Sequence, residues 1–183
     1  MLQHSFQSAG SFTEFVEHAE KNASLWRDIY RLARVPDGAA ERLAGAAGHW
    51  HLLVILEDWC GDAVNSVPVL ARLTELVPNA DLRVVGRDAN PDLMDLYLTN
   101  GKRSVPLVIV LDENYVERGR WGPRPRELQQ WVEREGMQLE PTERYRHIRT
   151  WYARDHGRTT VEEVVEVITC AADLGTLGTR ADR

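Results

Sequence analysis

Cysteine is scarce in this 183-residue chain, which contains only Cys60 and Cys170. The two residues are far apart and match none of the spacings that hold structural zinc. Free thiols of this kind are typical of proteins in a reducing compartment, and a structural disulfide between the two is the less favoured alternative. We therefore expect a fold that depends on its hydrophobic core rather than on disulfide or metal cross-links.

Long hydrophobic runs are also missing. No window approaches the roughly 18 consecutive apolar residues that a membrane-spanning helix needs. The first ten residues, MLQHSFQSAG, lack the basic segment and the apolar segment of a secretory signal. The sequence therefore predicts a cytoplasmic protein that does not bind membranes.

Lysine is nearly absent, since only Lys21 and Lys102 occur among the 22 basic residues. We attribute the arginine excess to genome composition, although arginine also suits bidentate contacts with carboxylates. The formal net charge of -6 argues against a general nucleic-acid-binding protein. The length and the 43% hydrophobic content fit one globular domain over residues 1–183.

Short apolar runs alternate with segments of helical periodicity, which predicts an α/β fold. Strands are expected at residues 50–56, 82–87, 106–111 and 115–121. Helices are expected at residues 62–77, 91–99 and 126–135, with one helix or a broken pair over residues 11–34. The first two strands should be parallel and the last two should form a hairpin.

Helical segments flank this predicted core on both sides. We divide the chain into an N-terminal helical segment (1–47), a core (48–136) and a C-terminal helical extension (137–183). Two helices are expected between residues 142 and 170, with a break near His156-Gly157. The apolar stripe of the second helix leaves Cys170 off the core face.

The first strand is followed by Trp59-Cys60-Gly61-Asp62, and Pro68 lies eight residues after the cysteine. Together with Ser104-Val105-Pro106 before a later strand and a ββα ending, this pattern resembles the thioredoxin superfamily. It is also similar to a subgroup with a later WGPRP segment, here residues 121–125. The resemblance covers residues 48–136 and implies a mixed four- or five-stranded sheet flanked by helices, with extra terminal helices.

The resemblance also implies roles for individual residues. Cys60 would be the catalytic nucleophile, and Pro106 would follow a cis peptide bond that lets Val105 pair with an extended substrate. Trp59 would offer an apolar platform beside the thiol, and Gly61 would permit close approach of a backbone.

Two departures from the family pattern limit the chemistry. Ala63 replaces the second cysteine of the redox-active members, and Val54 replaces the buried acid of typical thioredoxins. A disulfide within this motif is therefore impossible, and a mixed disulfide on Cys60 needs a second thiol from outside. That thiol would come from the substrate or from a small thiol such as glutathione, with Cys170 as a less favoured internal alternative.

The charge environment of Cys60 contains opposing groups. The N-terminus of a helix favours the thiolate, and so would Lys102 and Arg103 in the loop before Pro106. Glu57, Asp58 and Asp62 would oppose it if they lie close to the sulfur. We predict a modest lowering of the Cys60 pKa.

Several neighbouring residues have two interpretations. Asp62 is either a helix N-cap or a group that takes part in proton transfer. The WGPRP segment is best explained as a turn and packing device, in which Arg124 could pair with a nearby carboxylate. The six histidines show no ligand spacing next to Cys60, so no metal site is expected.

Two hypotheses of function follow. The first is a thiol-disulfide oxidoreductase that acts through Cys60 alone on protein disulfides or small-thiol adducts and needs no bound cofactor. The alternative is a redox-inactive binding module that recognises a partner through the groove beside Pro106.

Overall fold

The computed structural model describes the backbone of residues 1–181 and the side chains of residues 1–174. Five strands form one mixed sheet in the order β1-β3-β2-β4-β5. The strands are β1 (Gly10–Ser11), β2 (Trp50–Leu56), β3 (Ala80–Gly86), β4 (Leu107–Leu111) and β5 (Glu117–Trp121). Strand β2 is parallel to β3 and antiparallel to β4, and β5 pairs antiparallel with β4. The predicted α/β fold with a mixed sheet is confirmed.

The burial of the strands fits their positions in the sheet. Every residue of the continuous apolar runs in β2 and β4 is buried, as expected for strands covered on both faces. Strand β5 reads ERGRW and has exposed charged side chains, which suit the edge of a sheet. The bounds of β2 are those predicted, and the other three predicted strands differ by one or two residues at their ends.

Nine α-helices surround the sheet within the described residues. They are α1 (Leu2–Ser8), α2 (Phe12–His18), α3 (Ala23–Leu32), α4 (Ala39–Ala44), α5 (Gly61–Glu75), α6 (Pro91–Met94), α7 (Arg126–Arg134), α8 (Pro141–Asp155) and α9 (Arg158–Ala181). Short 3-10 helices follow α6 at Asp95–Tyr97 and α7 at Gly136–Gln138. None of the helices in residues 1–181 is both long and apolar enough to cross a membrane.

The N-terminal segment is more than a set of helices. Its residues Gly10 and Ser11 pair with Val84 and Arg83, so the segment adds β1 to the edge of the sheet. The predicted N-terminal helical segment did not include this strand, because a two-residue strand leaves no periodic pattern. Ser11 and Glu14 then form a capping box that begins α2. The broken helix pair expected over residues 11–34 corresponds to α2 and α3.

The C-terminal extension packs against the core. Helices α8 and α9 are separated at His156 and Gly157, which have φ angles of 54° and 79°. The break is where the sequence predicts it, because glycine readily adopts a positive φ. The apolar stripe of α9 joins the main core, and Cys170 is exposed as predicted (the stripe is Val161, Val164, Val165 and Ile168).

Candidate functional site at the first strand-to-helix junction

Cys60 occupies the N-cap position of α5, directly after the loop that follows β2. Its φ and ψ angles of -79° and 112° are extended, and its carbonyl accepts the Val64 N–H at 3.1 Å. The N–H of Cys60 donates to the carbonyl of Glu57, also at 3.1 Å. The thiol is therefore held at the helix N-terminus by the backbone on both sides.

The thiol meets the segment that precedes β4. The Val105–Pro106 peptide bond is cis, as predicted from the family resemblance. The Sγ atom of Cys60 donates to the Val105 carbonyl at 3.3 Å. Two segments 45 residues apart in sequence thus meet at one sulfur atom.

Burial disfavours the thiolate form of Cys60. The residue is only 6% exposed, and burial raises the pKa of its thiol above the ordinary cysteine value. The N–H groups of Ala63 and Asp62 oppose this rise because they hydrogen-bond the sulfur. The predicted lowering of the pKa is therefore wrong, since the loss of solvent outweighs the effect of the helix N-terminus.

A buried ion pair lies behind the thiol. Arg124 Nη2 is 2.6 Å from Asp62 Oδ2, and the two side chains are 19% and 10% exposed. The negative charge of Asp62 raises the pKa of Cys60, and the positive charge of Arg124 lowers it. Arg124 of the WGPRP segment does pair with a carboxylate, and that carboxylate belongs to the thiol site.

Asp62 is not the N-cap of α5, because Cys60 occupies that position. Burial raises the pKa of Asp62, and the charge of Arg124 opposes this rise. Within the described residues, Asp62 Oδ1 and Arg124 Nε are buried without a hydrogen-bond partner. Polar atoms left in this state are costly, so the pair depends on its mutual attraction.

Tyr152 is the contribution of the C-terminal extension to this region. Its hydroxyl lies 3.5 Å from Ser66 Oγ on α5, and the Tyr152 side chain is buried. Burial and the charge of Asp62 both raise the pKa of the phenol. Tyr152 is therefore a neutral polar group beside the Asp62–Arg124 pair.

Three residues proposed to tune the thiol make other contacts. Asp58 Oδ2 accepts the backbone N–H groups of Glu20 and Lys21 at 2.9 and 2.8 Å. Arg103 binds Asp95 through two hydrogen bonds of 2.6 and 2.7 Å. The backbone of Lys102 forms an isolated bridge with Thr99. The charges that act most on Cys60 are those of Asp62 and Arg124 instead.

The surface next to the thiol is open and partly apolar. Trp59 is 47% exposed, and the guanidinium of Arg87 lies 4.8 Å from the centre of its ring. Apart from its chain neighbours and the backbone of α5, no atom of the described residues lies within 4 Å of the position that a Cβ of Gly61 would take. The structure thus brings Trp59, Gly61, Val105 and Pro106 together around Cys60.

Sequence reasoning missed Tyr152 completely and did not connect Arg124 with Cys60. For Arg124, the one available signal was its positive charge within the WGPRP turn. Tyr152 had no local signal, because it reaches the site only through the packing of α8.

Comparisons with known proteins agree with this architecture. A protein of unknown function, PA1234, from Pseudomonas aeruginosa has a similar structure, with a TM-score of 0.74 and 24% identity over 92% of this chain and 97% of that one. An HIV epitope scaffold gives a TM-score of 0.70 and 23% identity over 91% of this chain and 96% of the scaffold. No curated protein matches the chain.

Both solved structures share the fold of this chain. A family model, Thioredoxin_9, described as Thioredoxin, matches residues 9–141 and so includes β1 and the thiol site. The chain therefore belongs to this thioredoxin family.

Proposed function

We propose that the chain is a thiol-disulfide exchange protein that acts through Cys60 alone. The observation that carries the proposal is the 3.3 Å contact between Cys60 Sγ and the Val105 carbonyl. An extended substrate that pairs with the backbone of Val105 would bring its own disulfide next to this sulfur. The exposed ring of Trp59 and the open space at Gly61 would accommodate the adjoining residues of that substrate.

The reaction balances with one protein thiol and one external thiol. The thiolate of Cys60 attacks a substrate disulfide, forms a new S–S bond and releases the other substrate sulfur as a thiolate. A small thiolate such as that of glutathione then attacks this mixed disulfide and releases Cys60. For a glutathione adduct, the net reaction converts the adduct and one molecule of reduced glutathione into the free substrate thiol and one molecule of glutathione disulfide.

The raised pKa of Cys60 has two consequences for this cycle. A smaller fraction of thiolate is present near neutral pH, so attack is slow and becomes faster as the pH rises. A thiol of high pKa is also a poor leaving group, so the mixed disulfide on Cys60 is long-lived. The protein is thus better suited to slow exchange or to holding a partner than to rapid turnover.

A second candidate function is a redox-inactive binding module. The observation that favours it is the 6% exposure of Cys60, together with the use of its proton in the bond to Val105. In this case the groove formed by Trp59, Gly61, Val105 and Pro106 would bind an extended partner without chemistry. The two candidates share the surface and differ only in whether a disulfide forms.

An exchange assay separates the candidates. A glutathionylated peptide is incubated with the protein and excess reduced glutathione, and release of the free peptide thiol is measured by mass spectrometry. We expect turnover above the uncatalysed rate in the wild type and in Cys170→Ser, and none in Cys60→Ser. Peptide binding without turnover in the wild type would overturn the exchange proposal and support the binding module.

The expected partners are protein disulfides or small-thiol adducts. A reducing compartment supplies the second thiol that the cycle needs, and we therefore propose that the protein acts in the cytoplasm.

A further inference from the structure

A second cluster of chemically active side chains lies at the other end of β2 from Cys60. His49 directly precedes β2, His51 lies within it, and Asp81 is the register partner of His51 on the parallel strand β3. Alternate residues of a strand point to one face, so both imidazoles lie on the same side of the sheet. Their ring centres are 4.8 Å apart.

The polar atoms of this cluster converge. His51 Nδ1 is 2.6 Å from Asp81 Oδ1, and His49 Nε2 is 3.3 Å from the same oxygen. All three candidate ligand atoms lie within 4.8 Å of one another. Zinc bonds of about 2.0–2.1 Å in a tetrahedral site separate ligand atoms by about 3.3 Å. Small side-chain rotations would therefore allow one ion to contact all three atoms.

We propose that His49, His51 and Asp81 form a binding site for a first-row divalent transition metal of the zinc class. Two imidazole nitrogens and one carboxylate oxygen are a donor set that zinc uses, whereas magnesium and calcium prefer oxygen ligands. The ion would take the place of the two contacts that now join Asp81 Oδ1 to the rings. The site is distinct from the thiol site and does not depend on the proposed exchange activity.

The surroundings suit such an ion. The His51 ring is fixed by a parallel stack on Tyr115 at 4.4 Å and by Phe6 at 4.7 Å, which defines the position of one ligand. The His49 and Asp81 side chains are 41% and 42% exposed, so solvent can reach the cluster and supply a fourth ligand.

A further carboxylate adds negative charge close by. Glu113 Oε2 would lie 2.6 Å from a Cβ built on Gly48, the residue before His49. This charge favours a cation at the cluster. The histidine spacing around Cys60 gives no sign of this site, because the third ligand, Asp81, comes from another strand.

The test is a calorimetric titration of the full-length protein with Zn²⁺ alone. We expect one ion per chain, and His49→Ala and Asp81→Asn should each weaken binding by about tenfold or more, because loss of even an outer-shell partner costs about 10–100-fold. His18→Ala, which removes an exposed histidine, and Cys60→Ser, which removes the buried thiol, are controls that should leave the affinity unchanged.

Circular dichroism verifies that each variant remains folded, and Co²⁺ substitution adds a readout of the ligands themselves. The visible spectrum of the Co²⁺ protein should have the bands of a four-coordinate site with nitrogen and oxygen ligands. It should lack the charge-transfer band that a thiolate ligand gives. The proposal is overturned if the wild type shows no saturable binding, or if His49→Ala and Asp81→Asn bind Zn²⁺ like the wild type. Loss of binding in Cys60→Ser would also overturn it and would assign the ion to the thiol.

Discussion

Arg124, in the loop between β5 and α7, reaches Asp62 in the first turn of α5 with a 2.6 Å contact between Nη2 and Oδ2. Both side chains are largely buried, and both influence the pKa of Cys60, in opposite directions. The family's second cysteine is absent, as is its usual buried acid on the strand, but this chain has a buried acid on the helix. The reactivity of Cys60 therefore depends on a pair whose two members can be removed separately.

Replacing Asp62 by asparagine should lower the pKa of Cys60. The substitution removes a negative charge that disfavours the thiolate and leaves the positive charge of Arg124 in place. The measurement is the pH dependence of alkylation in a Cys170→Ser background, where Cys60 is the remaining cysteine. Asp58→Asn is the matched control, because the Asp58 side chain binds the N-terminal segment instead. An unchanged or higher pKa in Asp62→Asn would contradict this explanation.

Replacing Arg124 by glutamine should raise the pKa of Cys60 further and destabilise the fold. Removal of one partner leaves the Asp62 carboxylate buried and unpaired, which costs about 3–5 kcal/mol in buried pairs. Urea unfolding measures the loss. Arg126→Gln, which removes an exposed pair with Glu166, is the control and should cost less than about 1 kcal/mol.

The pH dependence of the Arg124→Gln defect has a definite sign. Burial raises the pKa of Asp62, and removal of Arg124 removes the charge that opposes this rise. A carboxyl whose pKa is higher in the folded protein favours folding at low pH and loses this contribution as the pH rises through the folded value. The defect should therefore be smaller at mildly acidic pH than at neutral pH. A defect of equal size at both pH values would contradict a further rise in the pKa of Asp62 on loss of Arg124.

Gly122→Ala should displace Pro106, which lies beside the thiol site. Gly122 has a φ of 128°, and a Cβ there would lie 2.3 Å from the Pro106 carbonyl oxygen. Both the backbone conformation and the clash oppose the substitution. We therefore expect the free energy of unfolding to fall by at least about 1 kcal/mol and extended peptides to bind more weakly. Gly101→Ala is the matched control, because Gly101 also has a positive φ of 73° but, in the part of the chain that the structure describes, nothing beyond its chain neighbours lies within 4 Å of its Cβ position. Equal losses in the two variants would contradict a role for the Pro106 contact.

Asp58→Ala should reduce stability without changing the Cys60 pKa. The substitution removes the acceptor of two backbone N–H groups, those of Glu20 and Lys21. A hydrogen bond to a charged group contributes about 1.5–3 kcal/mol. Because these two bonds are exposed to solvent, we expect them to contribute less, and the free energy of unfolding should fall by about 2 kcal/mol in total. Urea unfolding and the alkylation profile together give both quantities. Asp37→Ala, at an exposed position, should change neither.

Local sequence patterns were sufficient to predict most of the strands and helices of the core. Strand β2 has the predicted bounds because a continuous apolar run between Gly48 and the Trp59 motif leaves few alternatives. The position of Cys60 at a helix N-terminus and the cis bond before Pro106 followed from the family resemblance. These features are carried by residues that are close in sequence.

The protonation of Cys60 could not be predicted in this way. It depends on burial and on Arg124, which is 64 residues away in the chain, and on packing of the C-terminal extension near Asp62. Strand β1 was missed for a different reason, because two residues contain no periodicity. Long-range packing therefore decides the reactivity of a thiol whose location is predictable from the sequence.

The most direct test of the account is intact-protein mass spectrometry of the folded Cys170→Ser protein after incubation with a glutathionylated peptide over a range of pH. We predict a mixed disulfide on Cys60 that forms faster as the pH rises through and above the ordinary cysteine range, and that persists until a small thiol is added. The denatured protein is the control, because its exposed Cys60 thiol should react with the peptide. A folded protein that forms no adduct at any pH while the denatured chain reacts would contradict thiol exchange and leave the chain as a binding module.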